Sequence, residues 1–220
     1  MLVIDTNTSC KGSGAYLKSQ GVTTVGRYYG IQASYRDIID DIEAKELCQN
    51  GISIFVVFEK TGNASELVLS RPAGKLDAQA AVKQAGIVKQ PAGSAIYFAA
   101  EGLPNGYGSA DQSNLQDYFD GIADGLGGQY TIGVYGDGFV CQTLQKGYCQ
   151  FAWLAAASTD FSLTCKYFGG KTPAWDLAQV PPLDMVWKLP HNGGSLSVDF
   201  DVPNLTRNKG NFGAFVVPTV

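Results

Sequence analysis

The chain has few charged residues and no long apolar run, and each shortage excludes a class of partner. Only 16% of its 220 residues are charged, and the formal net charge is -4. Because its lysines and arginines form no cluster, nothing marks a surface for nucleic acid or an anionic membrane. No segment approaches the roughly 20 apolar residues that cross a bilayer. We expect no nucleic-acid or membrane partner, and we expect a monomer.

Histidine is almost absent, and this removes several catalytic arrangements. The one histidine, His191, lies in a Pro-His-Asn-Gly-Gly stretch, so a Ser-His-Asp or Cys-His site would depend on it alone. No His/Cys set has metal-ligand spacing, and neither a phosphate loop nor a dinucleotide fingerprint is complete. We therefore expect no metal and no cofactor.

Export and disulfide signals are also lacking. The five cysteines contain no Cys-x-x-Cys pair, and the N-terminus enters a strand-like run without a basic and apolar leader. This pattern predicts buried thiols and a chain that is cytoplasmic as synthesised.

Strand-like and helix-period segments alternate along the whole chain, which is 45% apolar. The strand-like runs lie near 2–5, 23–29, 52–59, 95–101, 130–136, 150–157, 185–189 and 197–201. This order predicts the α/β class and a (β/α)8 TIM-type barrel over residues 1–204. Prolines and weak periodicity in 158–182 predict an irregular crossover there. Residues 205–220 are expected to be a C-terminal tail packing on the barrel.

Two helices have boundary signals. Ser34, with Asp37 three residues later, predicts a helix start, and Gly51 lies just past the expected end. A stripe of apolar residues at helical spacing from Leu115 to Leu126 predicts a second helix, which stops at a glycine pair.

Three of the apolar runs end on a carboxylate: Asp5, Glu59 and Glu101. A charge is costly inside a core and much less costly at its edge, and the C-terminal ends of barrel strands meet at one rim. The sequence therefore predicts an acid-lined cleft there. The alternative is that such acids cap helices or pair with Arg27 or Lys60.

Strand alternation selects the side chains that face the cleft. In the fourth run Tyr97 and Glu101 share an inner face with small residues, and in the fifth run Tyr135 lies opposite the bulky residues. Glycosidic bond cleavage uses two carboxyl groups about 5 to 9.5 Å apart. Aromatic residues near strand ends, among them Tyr29 and Trp153, suit stacking on sugar rings.

Five ordered motifs resemble a bacterial family of uncharacterised glycoside hydrolase-like domains, distantly related to the glycoside hydrolase family 25 lysozymes. They are Ile4-Asp5-Thr6-Asn7, Val25-Gly26-Arg27-Tyr28-Tyr29, Ile96-Tyr97-Phe98-Ala99-Ala100-Glu101, Gly133-Val134-Tyr135-Gly136 and Ala152-Trp153-Leu154-Ala155. The resemblance spans roughly residues 2–202. It implies a (β/α) barrel with an irregular seventh or eighth unit and a cleft at the strand C-termini. It implies Glu101 as general acid, and it matches Asp5 to the lysozymes' first-strand aspartate.

The resemblance also implies the remaining site. Val198-Asp199-Phe200-Asp201 is similar to the last-strand aspartate motif, and Trp187-Lys188 lies where a Trp-Gln pair is common. The expected catalytic residues are Glu101 with Asp5 or Glu59. The expected substrate-binding residues are Arg27, Tyr29, Tyr97, Tyr135, Trp153, Trp187 and Asp199.

One position departs from the lysozyme pattern. Ala99 stands where the lysozymes carry an aspartate two residues before the glutamate, so the second carboxylate comes from elsewhere or is absent. A 2-acetamido group of the substrate could replace it. We expect a hydrolase of a cell-wall type polysaccharide. The alternatives are a non-catalytic glycan-binding barrel, and a toxin or lysis domain delivered to the wall by another route.

Overall fold

Eight strands close into a barrel in the order of the sequence, which confirms the expected α/β barrel class. The computed structural model describes residues 1–30, 36–60, 68–101, 103, 108–155, 174–190 and 194–218. The strands are β1 (Leu2–Asp5), β2 (Val22–Gly30), β3 (Ser53–Glu59), β4 (Ala95–Ala99), β5 (Thr131–Gly136), β6 (Phe151–Leu154), β7 (Leu177–Lys188) and β8 (Ser195–Pro203). The helices within the described ranges are α1 (Gly14–Ser19), α2 (Asp41–Gln49), α3 (Arg71–Val88), α4 (Ser109–Leu126) and α5 (Gly138–Leu144).

The eighth strand runs in the reverse direction and is the irregular unit of the barrel. Strands β1 to β7 pair in parallel, whereas β8 is antiparallel to both β7 and β1. The crossover expected over 158–182 is wrong in its last part, because β7 begins at Leu177. Residues 158–173 lie outside the described ranges. The register of β7 shifts between Val180 and Met185, and beyond this shift β7 and β8 continue as a two-stranded arm.

The helix predictions were confirmed in one case and wrong in the other. α4 ends at Gly127, whose φ of 56° supplies the left-handed cap. α2 begins only at Asp41, because the Asp40 side chain accepts a hydrogen bond from the Glu43 N–H and caps the helix. Ile38, expected inside this helix, instead bridges to β2, and Ser34 lies outside the described residues. None of the helices that the structure describes is long and apolar enough to cross a membrane.

Large aromatic side chains fill the inside of the barrel. The ring of Phe55 lies 5.0 Å from that of Trp153 and 6.1 Å from that of Tyr97, in edge-on contacts. Gly26 and Gly133 face these rings, and a Cβ at either glycine would collide with Phe55 or Tyr97. The outer strand faces pack against the helices in a second apolar layer.

The C-terminal segment closes one end of the barrel. Phe215 exchanges backbone hydrogen bonds with Ile54 near the start of β3, and the carbonyl of Gly213 accepts one from Ala95 at the start of β4. The ring of Phe212 packs 5.7 Å from Phe55. This segment therefore lies under the N-terminal ends of the strands, and the mouth is at the opposite end.

Candidate active site

The inward side chains at the C-terminal ends of the strands form a ring of acids and phenols. Asp5 ends β1 and lies directly opposite Asp199 of the antiparallel β8. Residues opposite each other in such a pair project to the same face, so both carboxyl groups lie at the mouth. Tyr28 of β2 and Tyr135 of β5 belong to the inner layer at the same end.

Asp5 is a deeply buried acid of this ring, and its pKa is strongly raised. Its residue surface is only 2% exposed. Burial, and secondarily the negative charge of Asp199, raise the pKa of Asp5 to about 7, although a hydrogen bond from Gln179 acts in the opposite direction. Asp5 therefore exchanges its proton near neutral pH.

A single amide, that of Gln179 on β7, holds the two facing acids. Its Nε2 lies 3.0 Å from Asp5 Oδ2 and 3.0 Å from Asp199 Oδ2, so these oxygens are at most twice that distance apart. Such a separation is compatible with the roughly 5 to 9.5 Å between the carboxyl groups of glycosidases. The amide oxygen accepts a hydrogen bond from the Tyr135 hydroxyl at 3.2 Å. Gln179 thus fixes two acids and a phenol.

Asp199 is also held by the irregular part of β7. The backbone N–H of Asp184, a residue with a φ of 54°, donates to Asp199 Oδ1. Burial raises the pKa of Asp199, while that hydrogen bond acts to lower it. Asp199 remains partly exposed and so is accessible from the mouth.

Asp201 lies deeper in the barrel than Asp199. In the β1–β8 pairing it is opposite Val3, two residues before Asp5, and its exposure is 5%. Its Oδ1 accepts a 2.7 Å hydrogen bond from the Trp153 indole. Burial and the negative charge of Asp5 raise the pKa of Asp201 well above its ordinary value.

The pKa values of Tyr28 and Tyr135 are affected by Glu59 and Glu101, so these acids also lie near the mouth. Burial raises the pKa of Tyr28 well above its usual value, and the negative charges of Asp5, Glu59, Glu101 and Asp199 add to the increase. After burial, Glu101 is the largest cause of the raised pKa of Tyr135. The structure therefore brings together the three acids that were expected to line a cleft.

Glu59 differs from the other acids because it has a basic partner. Arg36 Nη1 lies 2.8 Å from Glu59 Oε1, and the Arg36 guanidinium lies 5.5 Å from the centre of the Tyr28 ring. Burial raises the pKa of Glu59, and the positive charge of Arg36 opposes that increase. Glu59 is thus less suited than Asp5 to stabilise a positive charge on a ligand.

Two expected substrate-binding residues lie on the wrong face of β2. Arg27 is fully buried and pairs with Glu43 of α2 at 2.6 Å, outside the barrel wall. Tyr29 is also fully buried and donates to Gln90 at 2.9 Å. Both expectations are wrong because alternation along β2 points Tyr28 inward and its two neighbours outward.

The other expected aromatic residues occupy different depths. Tyr97 lies at the floor, where its hydroxyl donates to the Phe212 carbonyl at 2.7 Å, and Trp153 is fully buried. Tyr135 is near the rim, with its ring centre 4.2 Å from that of Trp153. Trp187 lies on the arm and packs against Phe200. Of these four residues, Trp187 is partly exposed and Tyr135 is 8% exposed, whereas Tyr97 and Trp153 are fully buried.

Three residues of the network escaped the sequence argument. Tyr28 could have been found from the alternation that makes Gly26 an inner residue. Asp201 stood in a quoted motif but was not selected. Gln179 had no signal of its own, since it fell in the stretch expected to be an irregular crossover.

A cavity of ≈ 670 Å³ lies at the end of the barrel opposite the mouth, between Ser94, Thr131, Gln150 and the C-terminal segment. None of the acids of the ring lines it, so the chemistry of the acids belongs to the mouth. Within the described ranges, no group of three or more His, Cys, Asp or Glu side chains could hold a metal ion.

Several known proteins are similar to this chain. The uncharacterized protein FadG of Bacillus subtilis (strain 168) is 30% identical over 153 residues, which cover 66% of this chain and 26% of FadG. The chain thus spans about a quarter of that relative. The crystal structure of the Tat-secreted protein Rv2525c of Mycobacterium tuberculosis with L-tartrate has a TM-score of 0.73 and 17% identity. The match covers 97% of this chain and 98% of that one.

The comparison with Rv2525c contradicts one expectation. A chain of the same fold and nearly the same extent is a Tat-secreted protein, so the expectation of a cytoplasmic protein, which rested on the missing leader pattern, is wrong. The missing leader pattern was a weak guide to the compartment, because the folding of the barrel does not require a leader.

Lysozymes share the barrel, and a family model covers most of the chain. The bacterial lysozyme from Streptomyces coelicolor has a TM-score of 0.52 and 14% identity, over 92% of each chain. The model of the Rv2525c-like, glycoside hydrolase-like domain matches residues 15–187. With more than half of its length matched, this chain belongs to the Rv2525c-like family of glycoside hydrolase-like domains.

Proposed function

We propose that this protein hydrolyses a glycosidic bond in a cell-wall type polysaccharide, with Glu101 as general acid and Asp5 as the second carboxylate. The observation that carries the proposal is the pair Asp5 and Asp199, held on one amide at the mouth of a barrel whose family is glycoside hydrolase-like. The barrel of a lysozyme supports the choice of substrate class.

The charges at the mouth suit a transition state with positive charge. In the described part of the chain, neither Asp5 nor Asp199 forms an ion pair with lysine or arginine. An oxocarbenium-like sugar ring at the mouth would therefore meet two carboxylates whose charge no basic residue offsets. Formation of that cation also favours the ionised form of Asp5.

Glu101 has the position that a proton donor needs. It follows β4 at the rim, it is partly exposed, and its charge affects both Tyr28 and Tyr135. A general acid must reach the leaving oxygen of the substrate, which the more deeply buried Asp5 does less readily. Glu101 is therefore assigned proton donation, and Asp5 is assigned charge stabilisation.

The test compares Glu101→Gln with Asp117→Asn, an exposed acid on α4 that serves as the matched control. Release of reducing ends from peptidoglycan and from chitin-like oligomers is measured, and products are identified by mass spectrometry. We expect Glu101→Gln to reduce the rate by about 10²- to 10⁴-fold with an unchanged fold. Undiminished activity of this variant would remove Glu101 from the mechanism.

A glycan-binding protein without hydrolase activity is the second candidate. Ala99 supports it, because this inward position at the end of β4 carries no acid. Saturable binding of an oligosaccharide, with no product after prolonged incubation of the wild-type protein, would favour this candidate over hydrolysis.

We also propose that the protein acts outside the cytoplasm, as the likeness to the Tat-secreted Rv2525c suggests. Fractionation of the producing cells, with an antibody against the barrel, should detect it in the exported or wall-bound fraction. Recovery only with soluble cytoplasmic markers would contradict export.

A further inference from the structure

Two carboxyl groups, those of Asp5 and Asp201, meet inside the barrel below the mouth. Asp199 faces Asp5 across the β1–β8 pair, and Asp201 lies two residues further along β8, so the Asp5 and Asp201 side chains are diagonal neighbours on the inner face and each affects the pKa of the other. Asp201 Oδ1 accepts from the Trp153 indole, whereas no described N–H or hydroxyl group donates to its buried Oδ2. Because a carboxylate has no hydrogen to donate, a hydrogen bond between Asp5 and Asp201 requires a proton on one of the two groups.

The surroundings indicate which group holds that proton. Asp5 already accepts a hydrogen bond from Gln179, which favours its ionised form, and it lies nearer the mouth. Asp201 is surrounded by the floor of the barrel, and the charges that face it come from Asp5 and Asp199. Two like charges in contact cannot both persist in such a site, so the deeper group is the neutral one.

The groups that face Asp5 are consistent with this arrangement. Asp199 of β8 and Asp184 of β7 raise its pKa, whereas the hydrogen bonds from Gln179 and Asp201 lower it. The phenol hydroxyls of Tyr28 and Tyr135 also lie within its electrostatic reach. No lysine or arginine in the described residues pairs with Asp5. A hydrogen bond donated by Asp201 would add to the one from Gln179 in favouring the ionised form of Asp5.

We propose that Asp201 is a positioning residue: it remains a neutral carboxylic acid whose O–H donates to Asp5 while its other oxygen is anchored by Trp153. The role rests on the proposed function, because it prepares Asp5 for charge stabilisation. Asp201 itself does not touch the substrate. It orients Asp5 and favours the ionised form that faces a sugar cation.

The chain offers a sharp pair of variants at this position. In Asp201→Asn, the amide oxygen can accept from Trp153 and the amide N–H can donate to Asp5, so the side chain imitates the neutral acid. In Asp201→Leu, the branching at Cγ is kept but the donor is lost. Comparison of the two variants therefore distinguishes the effect of a hydrogen bond donated to Asp5 from the effect of filling space in the core.

The titration of Asp5 is measured by carbon-13 NMR in protein labelled at aspartate, with Asp5→Asn used to assign the signal. We expect Asp201→Asn to keep the Asp5 midpoint within about half a unit of wild type, and Asp201→Leu to raise it by about one unit or more. If Asp201 were ionised, Asp201→Asn would remove a negative charge and lower the midpoint by more than one unit. That result would overturn the proposal, and if Asp201→Leu does not fold, Asp201→Asn alone decides.

Activity gives the second readout. In glycan hydrolysis, Asp201→Asn should be at least about tenfold faster than Asp201→Leu, and the acidic limb of the Asp201→Leu profile should move to higher pH. If Asp201→Asn loses as much activity as Asp201→Leu, positioning by a neutral acid is wrong. If the wild-type protein cleaves no glycan, the NMR titration still tests Asp201, so failure of the proposed function is recognised separately.

Discussion

Two buried charged clusters lie on opposite faces of the same barrel wall, and they are built in opposite ways. On the outer face, Arg27 and Glu43 are both fully buried and neutralise each other. On the inner face, Asp5, Asp199 and Asp201 are gathered without a basic partner in the described residues. The first cluster is electrostatically complete, and the second contains excess negative charge.

This difference agrees with a structural role for the outer cluster and with the proposed function for the inner one. Glu43 also accepts hydrogen bonds from the Cys10 backbone and the Ser9 hydroxyl, so the outer pair ties the loop after β1 to α2. The inner acids accept hydrogen bonds from Gln179, Trp153 and the Asp184 backbone, but no described cation offsets their charge, and burial raises the pKa of each. Perturbed acids of this kind cluster at functional sites, which supports the proposal that they stabilise a positively charged species.

Breaking the outer pair should give the largest effect on stability. Arg27→Met leaves the Glu43 carboxylate buried without its cation, and we expect the free energy of unfolding to fall by about 3 to 5 kcal/mol. Urea denaturation at neutral pH measures the change. The double variant Arg27→Met with Glu43→Leu should recover most of the loss, since apolar groups can replace a buried pair. A loss below about 1 kcal/mol for the single variant would show that the pair is not the structural support described here.

In the inner cluster, by contrast, ionisation of an acid should lower the stability of the fold. The folded protein raises the pKa of Asp5 from 3.8 to about 7, so between these values the folded state binds more protons than the unfolded state. The stabilising contribution of Asp5 to the free energy of unfolding is therefore largest below pH 4. It decreases by about 2 to 4 kcal/mol as the pH rises to 7.

Other titrating groups contribute to the same profile, so the measurement is a difference between two proteins. Chemical denaturation of wild type and Asp5→Asn at several pH values isolates the contribution of Asp5. We expect the wild-type protein to lose stability relative to the variant as the pH rises from 4 to 7. Parallel profiles would contradict the raised pKa.

The contrast between the two clusters was partly predictable from the sequence. Acids at the ends of β1, β3 and β4 indicated a common rim, and alternation on β4 and β5 correctly placed Tyr97 and Tyr135 inside. The order of strands and helices was sufficient to predict a barrel, because apolar runs of strand length recur between helical stripes. These signals are local, because each can be read within the sequence of a single strand.

The remaining features depend on relations between strands, which local patterns do not contain. Arg27 and Tyr29 were assigned to the cleft because nearness to a strand end was given more weight than alternation. The reversal of β8 places Asp199 opposite Asp5, and the sequence carries no mark of strand direction there. Gln179 is important only because β7 brings its amide between two acids that are far apart in sequence.

A matched pair of hydroxyl deletions gives the smallest and most specific test. Tyr135 and Tyr29 each donate a hydrogen bond to a glutamine side chain, to Gln179 on the inner face and to Gln90 on the outer side. Each Tyr→Phe variant should lose about 1 kcal/mol of unfolding free energy. Only Tyr135→Phe should also slow glycan hydrolysis, by about tenfold, because Gln179 then orients Asp5 and Asp199 less firmly. Equal effects of the two variants on the hydrolysis rate would show that the Tyr135–Gln179 hydrogen bond has no specific role in hydrolysis.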